Sequence, residues 1–275
     1  MQEAPNYEAE KIAAGLQFVD GMVWSHAGFL AVADVRQRKL FHLDPVPNTT
    51  PKPLRDDDGG ASGLAYDLQG RMYICESVTR RLSRMDLKGK VDPLAENFEG
   101  KKFNAPNDIV VRRDGHVYFT DPAFGSAADR RELDFYGVFH LTPKGDLEAV
   151  ARWQTRPNGI ALSMDGRVLF VSDSDRHAIV AFDLDKTGAA ANQRDVVKNV
   201  KGVPGGVKTD VEGRFYVAAL GVAIYSSQGK LERTLIETTN TANCAFGDND
   251  LESLFISARD SVFRVRLGVK GALQY

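Results

Sequence analysis

The stretch Phe103-Asn104-Ala105-Pro106-Asn107-Asp108-Ile109-Val110-Val111 leads through small and polar residues into an apolar strand. An Asp114-Gly115 pair follows, then a second β-rich run over residues 116–120, and the unit closes at Asp121. Two β-rich runs joined by an Asx-Gly pair predict a β-hairpin. This unit decides the fold because versions of it recur along the chain, and a recurring unit of constant size indicates a repeat architecture.

The chain contains six such units, spaced by roughly 40 to 50 residues, the period of a four-stranded propeller blade. Further strands fit between each unit and the next, which gives about four strands per repeat. A sandwich or a barrel would also contain many short strands, but neither explains a sixfold repeat. We therefore predict an all-β fold, a six-bladed β-propeller with a central channel. It would be a single domain over residues 1–275, with blades starting near residues 20, 62, 107, 158, 205 and 243.

Two segments stand outside the repeat. Helical periodicity is nearly absent, and residues 6–14 are the only arguable helix. We expect the residues before Gly15 to add a strand to the last blade instead and so close the ring. The longest step between units comes from an insertion at residues 122–136, directly after Asp121.

Composition limits the possible partners. The 275 residues are 43% hydrophobic, enough for a large core, and the net charge of -2 gives no general attraction to nucleic acid or anionic membrane. No apolar run approaches the 18 or so residues of a membrane helix. We expect a small-molecule substrate, and a monomer or weak oligomer because a closed ring buries its own core. The start of the chain has no secretory apolar region, so the compartment stays open: cytoplasmic, or periplasmic or secreted after removal of a signal peptide. Cys75 and Cys244 lie in apolar runs and are predicted to be buried free thiols.

The repeat also predicts where polar residues gather. In a propeller the innermost strand of each blade lines the channel, so its first residue lies at one mouth, and the second strand returns to that mouth. The predicted inner ring is Asp20, Ser62, Asn107, Asn158, Gly205 and Asn243, and the outer ring is Asp34, Glu76, Asp121, Asp173, Ala219 and Ala258. A single Asx before a strand is most often a turn residue. Several aligned at one mouth form an oxygen-rich cage that favours metal or ligand binding.

Several motifs in these positions resemble a known family. They are Asn104-Ala105-Pro106-Asn107-Asp108, Tyr118-Phe119-Thr120-Asp121-Pro122, Arg156-Pro157-Asn158-Gly159, Val171-Ser172-Asp173-Ser174 and Asn243-Cys244-Ala245-Phe246-Gly247. Together they resemble the senescence marker protein/gluconolactonase/luciferin-regenerating enzyme family of six-bladed propellers, in particular its bacterial gluconolactonase branch. The resemblance covers nearly the whole chain, from about residue 15 to residue 267.

The resemblance implies a hydrolase that opens sugar lactones with one divalent metal in the channel, held by a Glu, two Asn and an Asp. The two Asn fall on Asn107 and Asn158, the Glu falls on Asp20, and the Asp falls on Gly205. The implied metal ligands are therefore Asp20, Asn107 and Asn158. Calcium is favoured over magnesium, manganese or zinc. One carboxylate in place of two predicts weak binding or none, because calcium affinity rises with the number of charged ligands.

The remaining roles are assigned by position, and the choice of general base depends on the loss of the acid at Gly205. Asp173 or Asp121 would serve as the general base, and Asn104 and Asn243 would position the substrate. The insertion, with Phe124, Arg130, Arg131 and Phe135, would cover the mouth as a lid. Two alternatives stay open: a degenerate propeller that only binds a small organic ligand, and a metal-independent reaction of the kind that a related plant alkaloid synthase carries out. A propeller used as a platform for protein partners is a less favoured third reading.

Overall fold

The hairpin predicted over residues 109–121 is present in the structure. In the computed structural model, which describes residues 7–56 and 59–273 apart from the side chains of residues 238–240, β12 (Ile109–Val111) pairs antiparallel with β13 (Val117–Asp121). Gly115 sits in the turn with φ of 90°, a left-handed conformation that glycine adopts without strain, and its N–H donates to the carbonyl of Arg112 at 2.8 Å.

Equivalent hairpins extend into six sheets arranged in a ring, which confirms the all-β, six-bladed propeller. The first two sheets are β2 (Val19–Trp24), β3 (Leu30–Asp34), β4 (Lys39–Leu43) and β5 (Lys52–Asp56), then β6 (Ala61–Tyr66), β7 (Met72–Glu76), β8 (Arg81–Met85) and β9 (Val91–Ala95). The third adds β14 (Tyr136–Leu141) and β15 (Leu147–Trp153) to β12 and β13, after a small hairpin of β10 (Asn97–Phe98) and β11 (Lys101–Lys102). The fourth contains β16 (Pro157–Leu162), β17 (Val168–Asp173), β18 (Ala178–Leu184) and β19 (Ala190–Val197).

The fifth sheet departs from the pattern of four separate strands. It contains β20 (Val207–Thr209), β21 (Phe215–Tyr225) and β22 (Leu231–Asn240). The first part of β21 pairs with β20 and the last part pairs with β22. Gly221, with φ of 73°, lies between the two parts. One long strand therefore takes the place of the second and third strands of the other blades.

The sixth sheet joins both ends of the described chain. It contains β23 (Cys244–Gly247), β24 (Ser253–Ala258) and β25 (Ser261–Arg266), and β1 (Ala9–Ala13) adds to it as the outermost strand. Ala9 lies opposite Val265 in an antiparallel pair. The expected ring closure is present, and the alternative of a helix over residues 6–14 was wrong, with residue 6 outside the described range.

The apolar core is divided among the six contacts between neighbouring sheets. Each buried cluster combines residues of two adjacent blades, as when Val23 and Ala31 pack with Leu64 and Ile74. Burying each of the larger apolar side chains contributes about 1.5–3 kcal/mol, so the ring is stabilised all around its circumference. Both cysteines are buried in these layers as free thiols, as predicted. Over the described ranges, no helix has the length and apolar character needed to cross a membrane.

Candidate active site at one mouth of the channel

Four glycines lie just below one mouth of the channel, where neighbouring innermost strands are in close contact. Gly21, Gly63, Gly159 and Gly206 each follow a predicted inner-ring residue, and a Cβ on any of them would overlap the next blade. At Gly63, for instance, a Cβ would lie 2.5 Å from the carbonyl oxygen of Asn107. Neighbouring strands are also joined directly, by the N–H of Gly159 to the carbonyl of Gly205 at 3.1 Å. This contact holds the preceding residues in a tight ring.

Five of the six predicted inner-ring residues converge on one cavity at this mouth. Asp20, Ser62, Asn107, Asn158 and Gly205 all line a space of about 440 Å³. That volume lies within the range of about 300–1,000 Å³ typical of small-molecule sites. The repeat therefore places its polar residues where a ligand of modest size could reach them.

The sixth position was predicted one residue too late. Ala242 lines the cavity, whereas Asn243 is only 4% exposed and lies one layer deeper. The carbonyl of Asn243 accepts the N–H of Ser257 at 3.1 Å, just as the carbonyl of Asp108 accepts the N–H of Thr120 at 3.0 Å. Asn243 is thus the counterpart of Asp108 and not of Asn107. The segment carries no glycine after Asn243 that would fix the register in the sequence.

A chain of hydrogen bonds orients the polar groups of the mouth. The Nδ2 of Asn107 donates to Ser62 Oγ at 3.2 Å, and Ser62 Oγ donates to Asp20 Oδ2 at 2.8 Å. The Nδ2 of Asn158 donates to Ser174 Oγ at 3.1 Å. The two amide nitrogens are thereby engaged, and none of the described residues donates to either amide oxygen. Burial raises the pKa of Asp20 to about 6, although the Ser62 hydrogen bond and the charge of Lys208 oppose the shift.

The donor set is of the kind that a hard divalent cation accepts. Among the described residues no group of three or more His, Cys, Asp or Glu side chains could hold a metal. The available ligands are instead the Asp20 carboxylate and the oxygens of Asn107 and Asn158, a set that calcium or magnesium accepts with water completing the shell. Gly205 cannot supply the missing acid, because the direction of a Cβ there is filled by the carbonyl oxygen of Ala242.

The two predicted general bases do not reach the cavity. Asp121 is fully buried and accepts the N–H groups of Asn104 at 2.7 Å and Ala105 at 2.8 Å, and burial raises its pKa to about 7. Asp173 is equally buried and accepts the hydroxyl of Thr155 at 2.6 Å. These carboxylates fasten the loops that enter the innermost strands. We therefore propose no catalytic role for either of them.

Asn104, predicted to position the substrate, lies buried outside the cavity lining. Its side chain is 1% exposed, and its Nδ2 donates to the carbonyls of Asp121 at 3.1 Å and Phe135 at 3.0 Å. These bonds tie the start of the third blade to the far end of the insertion. Asn104 does not line the cavity and is not a substrate contact in this arrangement.

The insertion forms one wall of the mouth. Its 3-10 helix (Gly125–Arg130) and the preceding Phe124 contribute Phe124, Ser126, Ala127 and Arg130 to the cavity lining. Phe135 instead packs in the core at 4% exposure, and Arg131 stacks over Tyr136 at 4.6 Å. The predicted lid residues therefore divide into two that face the cavity and two that anchor the segment.

A charged pair lies beneath the mouth and was not predicted from the sequence. Lys208 Nζ lies 3.6 Å from Asp108 Oδ2 and 3.5 Å from Asn243 Oδ1. Asp108 also accepts the N–H of Ile109 at 3.0 Å and that of Ile160 at 3.1 Å, so it connects the third, fourth and fifth blades. The signal was available: Lys208 is the central residue of an innermost strand, a position that lines the channel.

Known proteins are similar to this chain in fold and in sequence. The family model described as SMP-30/Gluconolactonase/LRE-like region matches residues 18–260. A gluconolactonase of Zymomonas mobilis is 31% identical, over 94% of this chain and 80% of that protein. A solved gluconolactonase structure from Xanthomonas campestris is 29% identical with a TM-score of 0.86, over 95% of this chain and 90% of that one. A calcium-binding regucalcin from Agrobacterium tumefaciens, 19% identical with a TM-score of 0.81 over 98% of this chain and 96% of that chain, shares the fold.

The family match spans most of the chain, and the gluconolactonase relatives cover it almost from end to end. They support a lactonase-like hydrolase activity. The chain belongs to the SMP-30/gluconolactonase/LRE-like family of proteins.

Proposed function

We propose that this protein hydrolyses a sugar lactone or a related cyclic ester in the cavity at the polar mouth. The observation that carries the proposal is the convergence of Asp20, Asn107 and Asn158 on one cavity, in a chain related to gluconolactonases. Water would add its oxygen to the acyl carbon, the ring C–O bond would break, and the ring oxygen would leave as an alcohol. The product is a hydroxy acid.

Asp20, Asn107 and Asn158 would hold one divalent ion, with calcium favoured because a regucalcin of the same fold is a calcium-binding protein. When bound, such an ion polarises a carbonyl and stabilises negative charge on its oxygen. The hydrogen bonds from Asn107 to Ser62 and from Ser62 to Asp20 keep these side chains oriented without a ligand. Preorganisation of this kind reduces the reorganisation needed when charge develops.

Asp20 is also our proposed acceptor for the proton of the attacking water. Among the described residues that line the cavity, it is the only one with a carboxylate. Its position in the cavity carries this assignment. Burial raises the pKa of Asp20 to about 6 without an ion, and a divalent cation on the same carboxylate would lower that pKa. The proton would then pass to the leaving alcohol oxygen.

The test is lactone hydrolysis followed by acid release in a pH-stat, with calcium present. Asn107→Ala and Asn158→Ala should each lower kcat by about 100-fold or more, because each would remove a ligand of the ion that stabilises the developing oxyanion. Asn249→Ala, at an exposed position away from the cavity, is the matched control. Full activity in either cavity variant would refute the proposal.

A second candidate is a propeller that binds a small organic ligand, or acts on one, without metal. The observation in its favour is that two of the six ring positions, Gly205 and Ala242, supply no side-chain oxygen. Chelator-treated protein separates the two proposals. Retention of turnover or ligand binding after removal of divalent ions would favour the second candidate.

A further inference from the structure

Two charged residues lie at different places among the described residues that line the mouth cavity. Among the described lining residues, Asp20 belongs to the channel ring and Arg130 ends the 3-10 helix of the insertion. Apolar groups contribute much of the remaining wall: Phe18, Val35, Val78, Phe124 and Val203. An apolar cavity with a few placed polar groups fixes the orientation of a ligand through those groups.

Arg130 is exposed and, unlike the other arginines of this region, has no side-chain partner among the described residues. Arg156 pairs with Asp175 and stacks on Phe124 at 4.8 Å, and Arg131 stacks over Tyr136 at 4.6 Å. Within the part of the chain that the structure describes, no hydrogen bond, ion pair or ring contact involves the Arg130 guanidinium. Its donors are therefore available to a ligand in the cavity.

A guanidinium presents a planar fork of N–H donors that matches the two oxygens of a carboxylate or a phosphate. We propose that Arg130 binds an anionic oxyacid group on the substrate, so that the preferred substrate is a sugar lactone carrying a second, acidic group. The lactone ring would face Asp20, Asn107 and Asn158, and the acidic group would face the insertion. The identification of the substrate as a lactone rests on the proposed function, but binding of an anion at Arg130 does not require turnover.

Direct binding tests the anion site without relying on hydrolysis. Calorimetry would compare gluconate with glucarate, which adds a terminal carboxylate, and with 6-phosphogluconate, which adds a terminal phosphate. The wild-type protein should bind at least one of the two doubly acidic ligands about 10-fold or more tightly than gluconate, as a charge-assisted bidentate contact predicts. The ligand that gains more identifies carboxylate or phosphate as the natural group.

Variants assign the effect to the residue. Arg130→Met should abolish the preference for the doubly acidic ligands over gluconate, while Arg130→Lys should retain part of it. Arg131→Met is the matched control, since Arg131 is the next residue but does not line the cavity, and it should keep the full preference. Thermal unfolding would verify that each variant is folded.

The outcomes separate the two proposals. A preference that disappears in Arg130→Met supports the anion site even if no lactone is hydrolysed, and in that case only the proposed function fails. If lactones are hydrolysed, Arg130→Met should raise KM for glucarolactone with kcat unchanged, the pattern of lost binding that is equal in ground and transition states. A wild-type protein with no preference, no measurable binding of either acid, or a preference that Arg130→Met retains would overturn the inference.

Discussion

Replacing Asp108 by Asn tests whether a single charged pair holds three blades together. The carboxylate is 4% exposed and accepts N–H groups from its own strand and from Ile160 in the next blade. It also faces the ammonium of Lys208 from the blade after that. Asp108→Asn keeps the size of the side chain but removes the charge, so the ammonium loses its closest anion.

The separation sets the expected magnitude. Two unit charges 3.6 Å apart interact by about 4–5 kcal/mol at an effective dielectric constant of about 20. The Lys208 side chain is 20% exposed, so water screens part of this energy. We expect Asp108→Asn to lower the free energy of unfolding by about 2–4 kcal/mol, slightly below the usual cost of isolating a fully buried charge. Lys208→Met should cost less, since Met replaces the aliphatic stem and Asp108 keeps its N–H donors.

The assay is a double-mutant cycle by urea unfolding at pH 7.5 with chelator present, which removes any contribution of bound metal. The double variant should be more stable than the sum of the two single changes predicts, with a coupling of about 1–3 kcal/mol. The exposed pair Lys90 and Asp92, 2.8 Å apart, is the control and should show little coupling. Additive costs in the buried cycle, within about 0.5 kcal/mol, would refute the reasoning.

Three further predictions concern titration and packing. Calcium affinity measured by calorimetry should fall as pH drops through about 6, because protonation of Asp20 removes the cage carboxylate; an equal affinity at pH 5 and pH 8 would contradict this. Gly205→Asp should lower stability by about 1–3 kcal/mol through overpacking against Ala242 and should not create a tight ion site. A calcium-induced rise in melting temperature that is larger in the variant than in the wild type would show otherwise. Burial raises the pKa of Asp121 from 3.8 to about 7, so the stability that its protonated form contributes is present in acid and is lost as pH rises from about 4 to 7. Urea unfolding at pH 5 and pH 8 should therefore show a smaller difference for Asp121→Asn than for the wild type.

The repeat made most of the mouth predictable from sequence. Asp20, Ser62, Asn158 and Gly205 each precede a glycine that must fit against the next blade, so their register follows from the sequence itself. Two units lack this glycine: Asn107 was still placed correctly, whereas in the last unit the prediction shifted by one residue, from Ala242 to Asn243. The fold and five of six ring positions thus follow from local patterns.

What the sequence could not supply was the direction of individual side chains. Asp121 and Asp173 end second strands as predicted. Each carboxylate, however, points toward the loop that precedes the innermost strand of the same blade and accepts hydrogen bonds from that loop. The pairing of Lys208 with Asp108 depends on a distance between residues a hundred positions apart, which no local pattern encodes. Contacts of this kind can be identified only from the three-dimensional arrangement of the blades.

The pairing of β1 with β25 has a consequence for how the protein is made. A ribosome adds about 5–20 residues per second, so roughly 10–50 s pass between the emergence of Ala9 and that of its partner Val265. During that interval the nascent chain can assemble blades in order, but β1 has no strand to join and the apolar faces of the first blade lack their last neighbour. Closing the ring therefore depends on a long-range pairing that cannot form until β25 has been synthesised, and the apolar faces between the first and last blades stay uncovered until then.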